Sequence, residues 1–363
     1  MTVHLLAGGG TAGHVNPLLA VADRIRERDA SAEVLVLGTK EGLESRLVPA
    51  RGYELLTIPR LPFPRRPNAQ AVSFLPRFRA TVRGLEKTLA DRGVDVVTGF
   101  GGYVSTPAYL AARRAGLPIA IHEANARPGL ANRLGARYTT AVGVAFEGTK
   151  LPHATFVGMP LRAEIERLDR SAERGAAAEY FGLDADRPVI LVTGGSLGAR
   201  RINATVVASA EALLAAGWQV LHIVGGRSEV SDPNLAGYRM IEYCDRMDLA
   251  LAIADVALSR AGAATVSEFA ALGIPAVYVP YPVGNGEQRW NARGVVEAGG
   301  GILVDDADFL PAWVSSTVLP LLADPAALRR MGERASSAGI ADGTDRMLAL
   351  VDRVSGERPA PGA

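Results

Sequence analysis

The 363-residue sequence contains one cysteine, Cys244, so it cannot form a disulfide within the chain, and this favours a reducing compartment. Its 39 lysines and arginines balance 38 aspartates and glutamates, and a net charge of +1 gives no overall field that would attract nucleic acid. No apolar run reaches the roughly 18 residues that span a membrane, and the opening "MTVHLLAGGG" lacks the parts of a signal peptide. We therefore expect a cytoplasmic protein that meets a membrane only at its surface.

Short runs rich in Val, Ile and Leu alternate with helical patterns, which is typical of parallel strands covered on both faces. A chain of this length exceeds one ordinary core, so two domains are expected, with a hinge near residues 160 and 161. The sequence thus predicts an α/β fold of two Rossmann-like, doubly wound parallel sheets facing a cleft. The strand-like runs are "VHLLA", "EVLVLG", "YELLTIP", "VDVVTG", "PIAIHE" and "TTAVGVAF", then "PVILVTG", "QVLHIVG", "YRMIEYC", "DVALS", "PAVYVP" and "GILVDD".

Each half begins with a strand, a glycine-rich turn and a helix, in "AGGGTAGHVNP" at 7–17 and "GGSLGAR" at 194–200. Gly8, Gly10 and Gly13 fit the dinucleotide pattern GxGxxG, but Ser196 replaces the middle glycine of the second turn, so a dehydrogenase is disfavoured but stays open. Such turns present backbone N–H groups and the positive end of a helix dipole to an anion. The alternative is that these glycines only permit tight turns.

Two side chains near helix starts are candidates for chemistry. His14 begins the first helix, where the dipole disfavours the protonated ring and leaves it able to accept a proton, so we predict a general base. The alternative is a structural or merely exposed histidine. In "SRAGAATVSEFAALG", Glu268 lies near another helix start, where its carboxylate can accept hydrogen bonds from two vicinal hydroxyls, as on a ribose. The alternative there is a surface glutamate that the dipole favours.

Seven motifs, in this order, resemble the MurG family, the bacterial undecaprenyldiphospho-muramoylpentapeptide N-acetylglucosaminyltransferases. The resemblance covers almost the whole chain and implies the GT-B glycosyltransferase architecture with an inverting, metal-independent reaction and no cofactor. N-acetylglucosamine (GlcNAc) would move from UDP-GlcNAc to the C4 hydroxyl of the muramoyl sugar of undecaprenyl-linked lipid I, giving lipid II for peptidoglycan synthesis. The motifs are "GGGTAGHVNP", "GFGGYVSTP", "HEANARPGLANR", "VGMPLR", "GGSLGAR", "RAGAATVSE" and "GEQRWNA".

The resemblance also assigns the domains. Residues 1–161 would form the acceptor domain, which binds lipid I and faces the membrane, with a C-terminal helix at about 341–355 packing back on it. Residues 162–340 would bind UDP-GlcNAc, and residues 356–363 are expected to form a disordered tail. The enzyme would act as a peripheral protein at the cytoplasmic face of the cell membrane.

Carried onto this sequence, the family pattern makes His14 the candidate base. Arg162 and Ser196 would hold the donor diphosphate, and Asn125 would face the donor sugar. Cys244 would contact uracil through its backbone, Glu268 the ribose, and Gln288 the GlcNAc hydroxyls. The full donor set is Thr11, Ala12, Gly13, Asn125, Arg162, Ser196, Cys244, Ala263, Ala264, Thr265, Val266, Ser267, Glu268 and Gln288. The acceptor set is Gly10, Gly13, Gly101, Gly102 and Tyr103.

The sequence departs from the family at a few positions. Ala12 replaces a common glycine, Cys244 stands where an aliphatic residue such as isoleucine is usual, and "VGNGEQ" replaces a loop that usually contains histidine. No Asp-x-Asp motif stands where a metal-dependent transferase would hold Mg²⁺, and we interpret "VDDAD" at 304–308 as the solvated start of a helix. We therefore predict no metal, with Arg162, backbone N–H groups and a helix dipole stabilising the leaving diphosphate.

Residues 59–83 combine apolar side chains with arginines and contain no acidic residue, which predicts shallow insertion into an anionic membrane surface. Packing of this segment in the core is the alternative. The predicted membrane contacts are Phe63, Arg65, Arg66, Phe74, Leu75 and Phe78, and Leu61 belongs to the same apolar set. Two other functions also stay open: a related transferase acting on another lipid acceptor, and a nucleotide-sugar-binding protein without catalysis.

Overall fold

Two parallel β-sheets, one in each of two units, organise the chain. The computed structural model describes residues 1–61, 69–194, 199–283 and 285–356, and for residues 69–72 the backbone alone. One unit consists of residues 1–162 together with the chain from Asp342 onward, and the other of residues 163–341.

The sheet of the first unit has seven strands in the order β3-β2-β1-β4-β5-β6-β7, and all of its pairings are parallel. Neighbouring residues of β1 enter different cores, Leu5 on one face and Leu6 on the other, because side chains alternate along a strand. The strands are β1 Val3–Ala7, β2 Glu33–Gly38, β3 Glu54–Thr57, β4 Val96–Gly99, β5 Ile119–Glu123, β6 Ala141–Val144 and β7 Ala154–Phe156. The helices are α1 Ala12–Arg28, α2 Glu44–Ala50, α3 Ala69–Asp91, α4 Ser105–Arg114 and α5 Leu130–Gly135.

The sheet of the second unit has six strands in the order β10-β9-β8-β11-β12-β13, again all parallel. Its strands are β8 Val189–Thr193, β9 Gln219–Ile223, β10 Tyr238–Ile241, β11 Val256–Ser259, β12 Ala276–Tyr278 and β13 Gly301–Leu303. Its helices are α6 Ala163–Glu166, α7 Arg170–Phe181, α8 Arg200–Ala208, α9 Ala210–Ala215, α10 Met247–Ile253, α11 Ala263–Ala271, α12 Glu287–Glu297, α13 Pro311–Trp313, α14 Leu319–Leu322 and α15 Pro325–Ala338, with a π-helical turn at Val314–Val318.

The strand order reverses once in each sheet, between β1 and β4 in the first and between β8 and β11 in the second. This is the doubly wound arrangement, and the prediction of two Rossmann-like sheets is confirmed. In such sheets ligands bind beyond the carboxyl ends of the strands at the reversal. The turns that follow β1 and β4, and those that follow β8 and β11, are therefore the places to look for a site.

The last helix, α16 Gly343–Gly356, belongs to the first unit, where it packs on α1, β5 and β6. Its apolar face, Met347, Leu348, Leu350 and Val351, is part of one of the two cores of that unit. The helix includes Gly356, and the remainder of the predicted tail, 357–363, lies outside the described residues. Strand β7 was not predicted, because it has three residues and an exposed edge that give no apolar run.

Candidate active site

The first glycine-rich turn, between β1 and α1, contains glycines with different roles. A Cβ at Gly8 would press on Leu18 and Phe100, and one at Gly9 would lie 2.5 Å from a carboxylate oxygen of Glu44. Gly10, by contrast, has a φ of +88° and no described atom within 4 Å of the place of a Cβ. Gly13 is nearly as open, with Thr11 Oγ1 nearest at 3.8 Å. Packing explains the first two glycines, whereas Gly10 and Gly13 leave room for a ligand.

His14 lies in the first turn of α1 with its ring folded back over the glycine turn. Its Nδ1 is 3.1 Å from the carbonyl oxygen of Gly9 and 3.2 Å from the hydroxyl of Thr11. Since a carbonyl oxygen can only accept, the Gly9 contact requires the neutral ring to carry its proton on Nδ1. The other nitrogen, Nε2, then has the lone pair of a base.

The turn after β4 closes against this histidine. Gly101 has a φ of +91°, and a Cβ on it would lie 3.2 Å from both Nε2 and Cδ2 of His14. A Cβ on Gly102 would lie 2.7 Å from the carbonyl oxygen of Gly9. The buried Ser105 hydroxyl donates to the Ala7 carbonyl and accepts from the Gly101 N–H, so it joins the two turns. The structure thus brings His14, Gly101 and Gly102 together, whereas Tyr103 packs partly against the core.

Two buried carboxylates shape these loops, and we did not predict either from the sequence. Glu44 is fully buried and accepts hydrogen bonds from the Gly10 N–H and from the N–H and hydroxyl of Thr39. Burial alone would raise its pKa, but hydrogen bonds from the N–H groups of Gly10, Glu44 itself and Thr39 outweigh that effect and hold the pKa below its usual value.

The second carboxylate, Glu123, ends β5 and is also buried. It accepts from the N–H groups of Asn125 and Gly129 and from the side-chain amide of Asn132. This network fixes the loop that carries Asn125, one of the predicted donor contacts. Because the sequence shows only a Glu followed by a loop, nothing in it marked the carboxylate as buried.

In the second unit, α11 begins directly after the loop that follows β11. Its first N–H groups, on Ala263, Ala264 and Thr265, have no partner within the helix and suit an anion. Val266 differs from the prediction: its side chain is fully buried and its N–H donates to the Gly262 carbonyl, so it offers a ligand no group. Ser267 and Glu268 are half-buried in the next turn.

Side chains from α12 hold the loop that leads into α11. The Gln288 side-chain oxygen accepts from the backbone N–H groups of Ala261 and Tyr281, so only its amide nitrogen can serve a sugar hydroxyl. Asn291, which we did not predict, donates to the Ala261 carbonyl. Gln288 therefore positions this loop, a role that we did not predict.

The acidic cluster at 304–308 is not the start of a helix, and that prediction is wrong. The cluster lies in the loop after β13, and α13 begins only at Pro311. Asp306 is mostly buried, and its carboxylate lies 2.5 Å from the Arg260 guanidinium. Arg260 also donates to the carbonyls of Val279 and Pro280, so it ties together the loops after β11, β12 and β13.

A cavity of about 800 Å³ opens beside these loops within the second unit. Its described lining includes four arginines and a single acidic residue, which gives it positive character. These residues are Arg200, Arg201, Arg227 and Arg260, with Asp306.

Three other predicted donor contacts are less informative. Cys244 is buried in the loop after β10. Arg162 is half-buried at the end of the first unit. Ser196 lies outside the described residues.

The predicted membrane segment is partly described. Phe63, Arg65 and Arg66 lie outside the described residues, and Leu61 is buried at 3% exposure, so it cannot belong to a membrane surface. In α3, Leu75 is 49% exposed, and Phe74 and Phe78 stack with ring centroids 5.6 Å apart. Phe78 also packs partly on the core.

The described residues offer neither a membrane-spanning helix nor a metal-binding cluster. None of their helices combines the length and the apolarity that crossing a membrane requires. They also contain no group of three or more His, Cys, Asp and Glu side chains placed to hold a metal ion.

Comparison with known proteins identifies the class. The family described as "Glycosyltransferase family 28 N-terminal domain" matches residues 4–144, and "Glycosyltransferase family 28 C-terminal domain" matches residues 189–347. The crystal structure of MurG from Acinetobacter baumannii aligns with a TM-score of 0.78 at 27% identity, covering 97% of this chain and 100% of that one. Fold and site therefore define a glycosyltransferase built from two parallel-sheet domains, as predicted.

Curated relatives define the family more narrowly. A UDP-N-acetylglucosamine--N-acetylmuramyl-(pentapeptide) pyrophosphoryl-undecaprenol N-acetylglucosamine transferase from Leifsonia xyli subsp. xyli is 70% identical over 97% of this chain and 98% of its own length. A transferase of the same name from Streptomyces coelicolor is 51% identical over 96% of each chain. The chain belongs to this family of N-acetylglucosamine transferases.

Proposed function

We propose that this chain transfers GlcNAc from UDP-GlcNAc to the C4 hydroxyl of the muramoyl sugar in undecaprenyl-linked lipid I, with inversion at the transferred carbon, to give lipid II. The observation that carries the proposal is the Gly9 contact of His14, which leaves Nε2 of the ring as a base. The names of relatives that are 70% and 51% identical support the two substrates.

The reaction is a single displacement. The acceptor oxygen attacks the anomeric carbon of GlcNAc, the bond from that carbon to the diphosphate oxygen breaks, and its electron pair leaves with UDP. The hydroxyl proton passes to Nε2 of His14. A positioned base of this kind contributes roughly 10²–10⁴-fold to the rate.

The acceptor would lie on the open side of the first glycine-rich turn. Gly10 and Gly13 leave space there, and Gly101 keeps the side of the ring next to Nε2 free of a side chain. Gly102 has no side chain that would collide with the Gly9 carbonyl oxygen, so this oxygen can lie against His14. We propose that the muramoyl sugar contacts these glycines.

The donor would lie at the carboxyl edge of the second sheet. The open N–H groups of Ala263, Ala264 and Thr265 would meet its diphosphate, and Glu268, one turn further along α11, would accept from the ribose hydroxyls. The arginine-lined cavity beside these loops supports a doubly charged leaving group. Cys244 would contact uracil through its backbone.

The test is an assay of UDP release and disaccharide formation from UDP-GlcNAc and a soluble lipid I analogue. We expect product from the wild type and a roughly 10²–10⁴-fold loss of kcat in His14→Ala, with the KM for UDP-GlcNAc little changed, because a base acts only in the transition state. A His14→Ala variant with near-normal kcat would remove this histidine from the reaction. Transfer to another lipid acceptor in place of the analogue would support the related transferase instead.

We also propose that the enzyme meets its acceptor at the anionic, cytoplasmic face of the cell membrane through α3. Leu75 and the stacked Phe74 and Phe78 supply apolar surface, and the exposed Arg77 and Arg79 supply positive charge.

A further inference from the structure

One peptide group, between Gly9 and Gly10, joins a buried carboxylate to the histidine. Its N–H, on Gly10, donates to Glu44 Oε2 at 2.9 Å. Its carbonyl, on Gly9, lies 3.1 Å from Nδ1 of His14. In a planar trans peptide the N–H and C=O point in opposite directions, so this one unit has the carboxylate at one end and the imidazole at the other.

We infer that Glu44 is a positioning residue for catalysis, which orients and polarises His14 through the Gly9–Gly10 peptide. A carboxylate that accepts from an N–H makes a charge-assisted bond, and hydrogen bonds in a chain strengthen one another. The carboxylate therefore makes the Gly9 oxygen a better acceptor for the Nδ1 proton. This holds the proton on Nδ1, keeps Nε2 as the base and stabilises the positive ring that forms when Nε2 takes the acceptor's proton.

The surroundings of Glu44 are arranged to hold its carboxylate in place. A Cβ at Gly9, Gly38 or Gly42 would lie 2.5 Å or less from an atom of the Glu44 side chain, so three glycines make room for it. Thr39 satisfies the second oxygen with its N–H and its hydroxyl, both at 2.9 Å. A buried charge needs such donors. Both Thr39 groups donate to Oε1 of Glu44, and the Gly10 N–H donates to Oε2.

The chemical logic is that of an aspartate that orients a catalytic histidine, with a peptide group inserted between the two. Gly102 is also needed for this arrangement, because any side chain there would collide with the Gly9 oxygen that His14 contacts. The inference rests on the proposed function, since it assigns Glu44 a role only if His14 is the base.

The test combines kinetics with a spectroscopic readout. Glu44→Gln removes the charge at nearly constant volume, and Glu41→Gln is the matched control, because it makes the same change at an exposed carboxylate of the preceding loop. We expect Glu44→Gln to lower kcat about 10–100-fold, less than the loss of the base itself, with the KM of each substrate within two-fold. Glu41→Gln should keep kcat within two-fold.

The tautomer of His14 is measured by NMR on protein labelled with ¹⁵N-histidine. The protein has five histidines, and the signal that is missing from His14→Ala identifies His14. The wild type should show a protonated Nδ1 and an unprotonated Nε2, and Glu44→Gln should shift population toward protonated Nε2. If Glu44→Gln does not fold, as judged by circular dichroism, Glu44→Asp serves instead, because it withdraws the carboxylate from Gly10 by one methylene.

The outcomes separate the two ideas. A normal kcat and tautomer in Glu44→Gln, together with an inactive His14→Ala, would overturn the role of Glu44 and leave the proposed base intact. The role of Glu44 would also be overturned if Glu44→Gln lowered kcat by the same factor in the His14→Ala background as in the wild type. Glu44 would then act without the histidine. A normal kcat in His14→Ala would instead refute the proposed base, and the positioning role with it.

Discussion

Adding one methyl group at Gly101 tests whether activity requires that no side chain from the turn after β4 lies against the His14 ring. Gly101 and Gly116 flank α4 and both have positive φ, +91° and +66°. Gly101→Ala and Gly116→Ala should each lose about 1–2 kcal/mol of stability for the left-handed backbone. For a domain of this size that is roughly 2–4 °C per kcal/mol in the unfolding midpoint.

The two variants should differ in activity. The new methyl at position 101 would lie 3.2 Å from Nε2 of His14, the atom that we propose accepts the proton, whereas at position 116 it would have no described atom within 4 Å. We therefore expect Gly101→Ala to lower kcat on the order of 10²-fold, near the lower limit for the loss of a general base, and Gly116→Ala to leave it unchanged. The assays are UDP release with the lipid I analogue and thermal unfolding. If Gly101→Ala unfolds at a lower temperature but keeps a normal kcat, Nε2 of His14 does not accept the proton.

Three further predictions concern the donor, the metal and the membrane. Glu268→Ala should weaken UDP binding by about 1–3 kcal/mol, measured by calorimetry, and should abolish discrimination against the 2′-deoxy nucleotide; equal discrimination in both proteins would contradict the ribose contact. Activity should survive excess EDTA, because we expect fixed dipoles and Arg162 to stabilise the diphosphate without a metal ion. A loss of activity that Mg²⁺ restores would refute this. Arg77→Glu/Arg79→Glu should lower the affinity for anionic vesicles, measured by co-sedimentation, at least about 30-fold, since each cation near the surface contributes roughly 1 kcal/mol. The charge-matched variant Arg329→Glu/Arg330→Glu on α15 should keep its affinity. Equal binding by both variants would exclude α3 as the docking surface.

The fold could be predicted from the sequence because parallel strands buried on both faces give continuous apolar runs. All twelve predicted runs contain a strand of the structure, from Val3–Ala7 to Gly301–Leu303. The strand that was missed, Ala154–Phe156, is short and lies at an edge, so burial imposes no apolar pattern on it.

The site was less predictable, for a different reason. Glycine turns and the histidine have local signatures, but the residues that hold them act from a distance in the sequence. Glu44 reaches Gly10 across 34 residues, and Arg260 pairs with Asp306 across two further strands. A charged residue in a sequence is ordinarily interpreted as solvated. Only the packing shows that Glu44 is buried and hydrogen-bonded, and that Arg260 and Asp306 form an ion pair.

Because α16 returns to the first unit, the second unit is an insertion within the first. The polypeptide leaves the first unit after residue 162 and comes back to it at residue 342. The second unit, 163–341, is one uninterrupted segment that a single gene fragment can encode, whereas the first is not. A stop codon ahead of residue 343 would leave the second sheet whole and strip Met347, Leu348 and Val351 from a core of the first. Damage at the far C-terminus would thus fall on the half of the molecule that carries His14.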